Sequence, residues 1–380
     1  ADIPQVVTLA DGGLNTWVFR GQHHSTGEQG SRQDGPEHDG PGAGTMERRR
    51  RQGSTFKSNT GVLMLADLVK RSQPLAADAK LQVLGVGYSG RCLASLARAL
   101  GTPVLCTRRS LDSAEADLLF DSNGQDQLDP AALEGVTHLL STIPPDREGN
   151  DPVLLKLLPT LRSLPLRWAG YLSTSGVYGD RQGGWVSEQD DPAPALDRSV
   201  RRLNCEKAWL RSGLPIQVLR LPGIYGPGRS VLNGLQQGRA RLIDKPGQVF
   251  CRIHVEDIAG ACWHLMHRAG QDAPASPGNG SIVNVVDDLP APTAELMRHA
   301  ANLLGCALPP LEPFDQIVDS MSPMAQSFWS ENRRVSNHRL CHELGYALLH
   351  PNYRVGLQDC LNQDKLNPSD LRSPPQSANG

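Results

Sequence analysis

Between Gly21 and Thr55 the chain has no Val, Ile, Leu, Phe, Tyr or Trp, whereas from Leu81 onward short apolar runs alternate with stretches of helical periodicity. The first pattern cannot bury a core and predicts disorder. The second is the signature of parallel strands joined by crossover helices, and so of an α/β fold with a doubly wound parallel sheet. Strands are expected at 81–86, 104–107, 138–142, 168–173, 216–221 and 281–286. Helices are expected at 91–100, with Leu93, Leu96, Ala97 and Leu100 on one face, and at 152–161, 200–210, 258–266 and 293–304. Beyond Gly226 the pattern loosens into a hairpin-like stretch. The division that follows is an N-terminal extension over 1–75, a nucleotide-binding α/β core over 76–226, a mostly substrate-side lobe with returning elements over 227–361, and a flexible tail over 362–380 with Pro368, Pro374 and Pro375.

Composition narrows the partners. Hydrophobic residues make up 39% of the chain, and no apolar run approaches the length of about 20 residues that a spanning helix needs, so no membrane span is expected. A net charge of −2 leaves no global field to gather nucleic acid, so a small-molecule partner is the default. The basic run Arg48–Arg51 lies among glycines and acids and reads as solvated. The eight cysteines show neither a CxxC pair nor a zinc-ligand spacing, as expected of reduced thiols. The N-terminus has no secretory pattern, and its acidic residues argue against a transit peptide, which makes a cytoplasmic location the expectation. Met46 and Met64 both precede the first convincing strand and are alternative starts.

The strongest chemical signal is Gly85-Val86-Gly87-Tyr88-Ser89-Gly90, a GxGxxG that follows an apolar strand and opens an amphipathic helix. In that context the first two glycines allow a tight turn and close approach of a pyrophosphate, and the third lets helix and strand pack together. Unpaired N–H groups at the helix start favour the negative charge. These features make the core Rossmann-type, with Gly85, Gly87, Tyr88, Ser89 and Gly90 as cofactor residues. About 20 residues further on, an NAD site carries an acid for the ribose hydroxyls. Here the chain has Arg108 and Arg109, whose guanidinium forks suit a 2′-phosphate, so NADP is favoured over NAD. The plainer reading is that one or both arginines cap a surface loop.

Four later segments carry a resemblance. Leu172-Ser-Thr-Ser-Gly-Val-Tyr-Gly-Asp180, Arg220-Leu-Pro-Gly-Ile-Tyr-Gly-Pro-Gly228, Arg252-Ile-His-Val-Glu-Asp-Ile-Ala259, and Arg334-Val-Ser-Asn337 through Leu344-Gly-Tyr346 occur in order. Together they resemble the extended short-chain dehydrogenase/reductases, the epimerase/dehydratase group, while the GxGxxG spacing is similar to the group's atypical members. The resemblance implies that Thr142, Pro144, Ser173, Leu221 and Ile224 lie along the dinucleotide. It further implies that Ser175, Arg198, Arg202, Tyr225 and His254 face the substrate, and that Thr174 and Tyr178 carry the chemistry. Dimers through paired helices are common in the group, which makes a homodimer an expectation.

One departure is serious: no Tyr-x-x-x-Lys exists anywhere in the chain. With Glu206 aligned to the glutamate four residues past that lysine, Arg198 stands at the tyrosine position and Arg202 at the lysine position. A guanidinium stays protonated and offers no acceptor, so neither can serve as the general base. Arg198, Arg202 and Glu206 read either as an ion-paired exposed helix face or as a clamp for a substrate anion. Besides Thr174, the groups left for proton chemistry are Ser175, Tyr178, Asp180, Glu188 and His254. No P-loop or GxSxG is present, His342-Glu343 meets Tyr346 where HExxH needs histidine, and His264 with His267 is an isolated pair, so no metal site is expected. Two functions remain: an NADP-dependent oxidoreductase or epimerase-like enzyme acting on a small polar or nucleotide-linked metabolite, and a non-catalytic NADP(H)-binding sensor.

Overall fold

The computed structural model describes residues 65–109, 117–121, 128–271 and 281–366. The expected disorder of the first sixty residues, the Arg48–Arg51 run and residues 367–380 lie outside that range. Seven strands form one sheet, all paired in parallel: β1 Leu81–Leu84, β2 Val104–Arg108, β3 Leu118–Leu119, β4 His138–Ser141, β5 Trp168–Thr174, β6 Ile216–Leu221 and β7 Ser281–Asn284. Their spatial order is β7-β6-β5-β4-β1-β2-β3, so the chain steps outward from β1 in one direction and then reverses to build the other half. That reversal between β1 and β4 is the switch point at which ligands of open α/β sheets bind.

The strands read as near-continuous apolar runs because both faces of the sheet are covered. On one face Leu81 and Val83 meet α2 (Tyr88–Ala99) and α5 (Val255–Gln271) through Leu93, Leu96, Ile258 and Trp263. On the other, Leu84, Leu139 and Tyr171 meet α3 (Pro152–Ser163) and α4 (Asp197–Leu210) through Val153, Leu157, Leu161 and Trp209. Among the described residues no helix is long and apolar enough to cross a membrane.

Three expectations need correction. Residues 65–75 belong to the core rather than to the extension: α1 (Ala66–Arg71) buries Leu68, and Trp263 donates to the Gln73 carbonyl at 2.8 Å. The last helix, α7 (Tyr353–Leu366), runs four residues past Asn362, because Asp364 is buried and accepts from the Gly228 amide and the Asn233 side chain. The expected hairpin-like stretch after Gly226 is instead made of parallel pairs: strand 223–225 pairs with 252–254, and strand 242–244 with 311–313, each across a connection that contains other helices and strands. These pairs, with α6 (Thr293–Leu304) and α7, make the smaller lobe around Leu232, Tyr353 and Leu357.

Candidate functional site

Gly85, Arg108, Thr142, Thr174 and Leu221 all fall at carboxyl ends of neighbouring parallel strands or one residue beyond, so the sheet delivers them to one edge. At its centre the β1–α2 turn is held from three sides. The Gly85 amide donates to Thr107 Oγ1 at 3.0 Å, the Val86 amide to the Thr107 carbonyl at 2.9 Å, and the Thr142 hydroxyl to the Gly85 carbonyl. Gly85 has φ +85°, and a Cβ there would stand 2.8 Å from Thr142 Oγ1. A Cβ on Gly90 would stand 2.9 Å from the Gly85 carbonyl oxygen, so the third glycine lets α2 lie directly on β1. Gly87 differs from both, since a Cβ there meets nothing within 4 Å.

α2 starts at Tyr88, three residues earlier than its periodicity suggests, because the glycine turn itself enters the helix. Gly87 is its N-cap and offers no side chain to the first-turn amides. The donors left over, with open space at Gly87, make a backbone cradle that fits a diphosphate. Arg108 is anchored on the same turn: its Nε–H donates to the Val86 carbonyl at 3.2 Å, and its terminal nitrogens make no hydrogen bond among the described residues. Arg109 is exposed beside it. Tyr88 bridges to the smaller lobe, its hydroxyl donating to the Pro227 carbonyl at 3.0 Å. Ser89 is buried in the first turn, and Pro144 is half-buried after β4.

Several residues expected in the cleft are committed elsewhere. Ser173 donates its hydroxyl to Glu206, which also holds Arg220 in a bidentate pair, with the closest approach 2.7 Å and both side chains 1% exposed. Arg220 stacks over the Tyr178 ring at 4.7 Å, and the Tyr178 hydroxyl donates to Asn284 Oδ1 at 2.8 Å. Tyr178 is therefore no base: it has no exposed surface, and burial pushes its phenol above the usual 10. This network binds the Ser-Thr-x-x-Val-Tyr-Gly segment to the segment that opens with Arg220. Arg202, at the lysine position, donates to Tyr171 Oη at 3.0 Å and to the Leu172 carbonyl at 3.2 Å, and is buried. Arg198, at the tyrosine position, reaches Ser327 Oγ at 2.6 Å and lies over Phe328 at 4.9 Å. The exposed ion-paired face expected of Arg198, Arg202 and Glu206 does not form, because two of the three point into the protein.

Leu221 and Ile224 are core packing, and Ser175 is buried in the turn after β5. Tyr225 packs edge-on against His254 at 5.2 Å, and burial pushes the His254 imidazole well below its usual 6.5, so His254 is a neutral interior group. Asp180 caps backbone amides of Gln182 and Asn332, and Glu188 accepts the Asn284 amide at 2.7 Å. Thr174 remains. It is half-buried at the end of β5, and its Oγ1 accepts the Gly176 amide at 3.1 Å, which orients the hydroxyl. Sequence reasoning missed the roles of Thr107, which braces the turn, and of Asp257, whose carboxylate accepts from Tyr346 Oη and from the Leu349 and His350 amides at 3.0, 2.6 and 2.8 Å. Asp257 and Tyr346 belong to two of the quoted motifs, so their recurrence together was the available signal.

No family model matches the chain. A functionally unknown conserved protein from Silicibacter pomeroyi DSS is 40% identical, with a TM-score of 0.66, over 75% of this chain and 98% of its own. The chain is also similar to Protein YeeZ of Escherichia coli K12, 27% identical over 72% of this chain and 96% of that protein. A structure described as a putative NAD-dependent epimerase/dehydratase from Methylobacillus flagellatus is 25% identical, with a TM-score of 0.57, and aligns over 76% of this chain and all of its own. Taken with a β7-to-β3 sheet reversed at a GxGxxG turn, these similarities show that the chain has the Rossmann-like α/β fold of NAD-dependent epimerase/dehydratase-like proteins, which are its structural neighbours.

Proposed function

We propose that this protein binds NADP(H) at the β1–α2 turn and works as an oxidoreductase or epimerase-like enzyme on a small polar or nucleotide-linked metabolite, without the family's tyrosine–lysine relay. The observation that carries the cofactor assignment is Arg108, fastened by Nε to the Val86 carbonyl beside the glycine turn, with its terminal nitrogens making no hydrogen bond among the described residues. A guanidinium held this way presents its remaining donors to a 2′-phosphate, and Arg109 adds a second positive charge. When bound, the dinucleotide supplies or accepts hydride. The residues of this chain hold its diphosphate, discriminate its ribose and shape the substrate cleft. Thr174 is the hydroxyl positioned to hydrogen-bond a substrate oxygen at the end of β5.

The cofactor reading is tested by calorimetry on the double variant Arg108→Ala/Arg109→Ala. Losing charge-assisted bonds to a phosphate is expected to weaken NADPH by about 10-fold to 100-fold and NADH by less than about threefold. Equal losses for both dinucleotides would remove the 2′-phosphate assignment.

One observation favours a second reading, an NADP(H) sensor without catalysis: Arg202 and Arg198 are both engaged within the protein. The two readings part on turnover. For an enzyme, NADPH oxidation appears with some member of a panel of carbonyl and nucleotide-sugar substrates, and Thr174→Val lowers that rate at least about tenfold while leaving NADPH affinity unchanged. For a sensor, NADPH raises the Tm saturably and no substrate draws hydride. A location in the cytoplasm and a homodimer belong to this proposal as its expected setting.

A further inference from the structure

Four ionisable side chains from distant parts of the chain converge where α5 meets α7. His254 ends strand 252–254, Glu256 lies in the first turn of α5, His350 precedes α7 and Asp359 lies on it. One donor atom from each falls within 4.8 Å of the others. His350 Nε2 stands 2.9 Å from Glu256 Oε2, and His254 Nε2 stands 3.8 Å from Asp359 Oδ2. The second distance is too long for a hydrogen bond. The imidazoles lie 3.8 Å apart, centroid to centroid, and His254 has no exposed surface.

Burying two imidazoles and two carboxylates together is costly unless each charge is matched. The His350–Glu256 contact is matched, whereas His254 Nε2 meets no carboxylate at hydrogen-bond distance, its nearer polar neighbour being the Cys360 thiol at 3.7 Å. A tetrahedral Zn²⁺ with bonds of about 2.0–2.1 Å sets its ligand atoms about 3.3 Å apart, midway between the two distances seen. We propose that His254, Glu256, His350 and Asp359 form a site for a divalent transition metal, Zn²⁺ by ligand chemistry, that fastens the C-terminal helix to the core. The borderline nitrogen and oxygen set suits Zn²⁺ better than Ca²⁺ or Mg²⁺, which take oxygen donors. The surrounding contacts are those of a metal centre, since the Gln363 amide donates to Glu256 Oε1 at 3.1 Å and to Asp359 Oδ2 at 2.6 Å and so orients both carboxylates. Asp359, 29% exposed, gives the ion a way in. Ligation through His254 Nε2 puts the ring proton on Nδ1, so the 3.3 Å contact from the Glu256 amide is given up as the ion enters.

The test uses the full chain, stripped with chelator and titrated with Zn²⁺ against a chromophoric competitor, while Tm is followed in parallel. Exposed His338 and His342 can hold zinc adventitiously, so every protein also carries His338→Ala/His342→Ala. The expected result is that Asp359→Asn and, separately, His350→Gln each remove one zinc equivalent or weaken it at least about tenfold, and cancel the rise in Tm that one equivalent produces. Asp359 is partly exposed, so its variant keeps the fold, and Co²⁺ gives an independent readout through the visible bands of a tetrahedral ion. If Asp359→Asn takes up as much Zn²⁺ as its parent with the same affinity, or Zn²⁺ leaves the parent's Tm unmoved, the site does not exist.

Discussion

Gly87→Ala is expected to weaken nicotinamide dinucleotide binding by at least about 100-fold while leaving the Tm within about 1 °C of the wild type. The glycine has φ −80° and extended backbone, so alanine takes its place without strain, and a Cβ meets no protein atom within 4 Å. That same space is where a diphosphate must come against the backbone, and a methyl group there keeps the first-turn amides of α2 from it. Gly85→Ala is the companion measurement. At φ +85° the left-handed backbone alone costs an L-residue about 1–2 kcal/mol. The added carbon also falls 2.8 Å from Thr142 Oγ1 and 2.9 Å from Ile143 Cγ1, which pushes the end of β4 away. Binding and stability therefore fall together at Gly85 and separate at Gly87. Calorimetry with NADPH beside thermal unfolding reads both, and unchanged affinity in Gly87→Ala would move the dinucleotide off this turn.

The second large effect concerns the Glu206–Arg220 pair. Glu206→Gln leaves the Arg220 guanidinium in the interior without a counter-charge, and one of its nitrogens, Nη1, already has no partner. Breaking one side of such a pair costs about 3–5 kcal/mol, and glutamine keeps an acceptor for Ser173 and for Arg220 Nε, which sets the loss near the lower figure. At about 1–2 °C per kcal/mol for a chain of this size, the Tm is expected to fall by about 3–6 °C. Glu206→Gln/Arg220→Met should recover most of that loss, because the uncompensated charge leaves with the arginine. A double variant as unstable as the single one would show that shape, not charge, is what this position requires. Tyr178 and Ser173 hang on the same network, so the single variant also loosens the strand end that presents Thr174.

Arg202 keeps a cation at the lysine position but spends it on Tyr171 and a main-chain carbonyl, bracing α4 against β5. Arg198 extends to the helix over 323–329 and joins α4 to the smaller lobe. Both arginines are engaged in holding the structure together.

The sequence by itself determined the parallel sheet, its helices and the glycine turn, because each rests on local pattern: apolar runs of strand length, a 3.6-residue periodicity, and glycines whose backbone demands are met within six residues. It also showed that the usual base is absent, since that needs only a residue's identity. Only the tertiary structure decided which polar groups reach the cleft. Glu206 could not be seen to prefer Arg220 over Arg202, nor Tyr178 to give its hydroxyl to Asn284, because those partners are 14 and 106 residues away and burial, not spacing, makes the bonds obligatory. The cluster of His254, Glu256, His350 and Asp359 was hidden for the same reason: about a hundred residues separate its halves, and they meet only when α7 packs on strand 252–254.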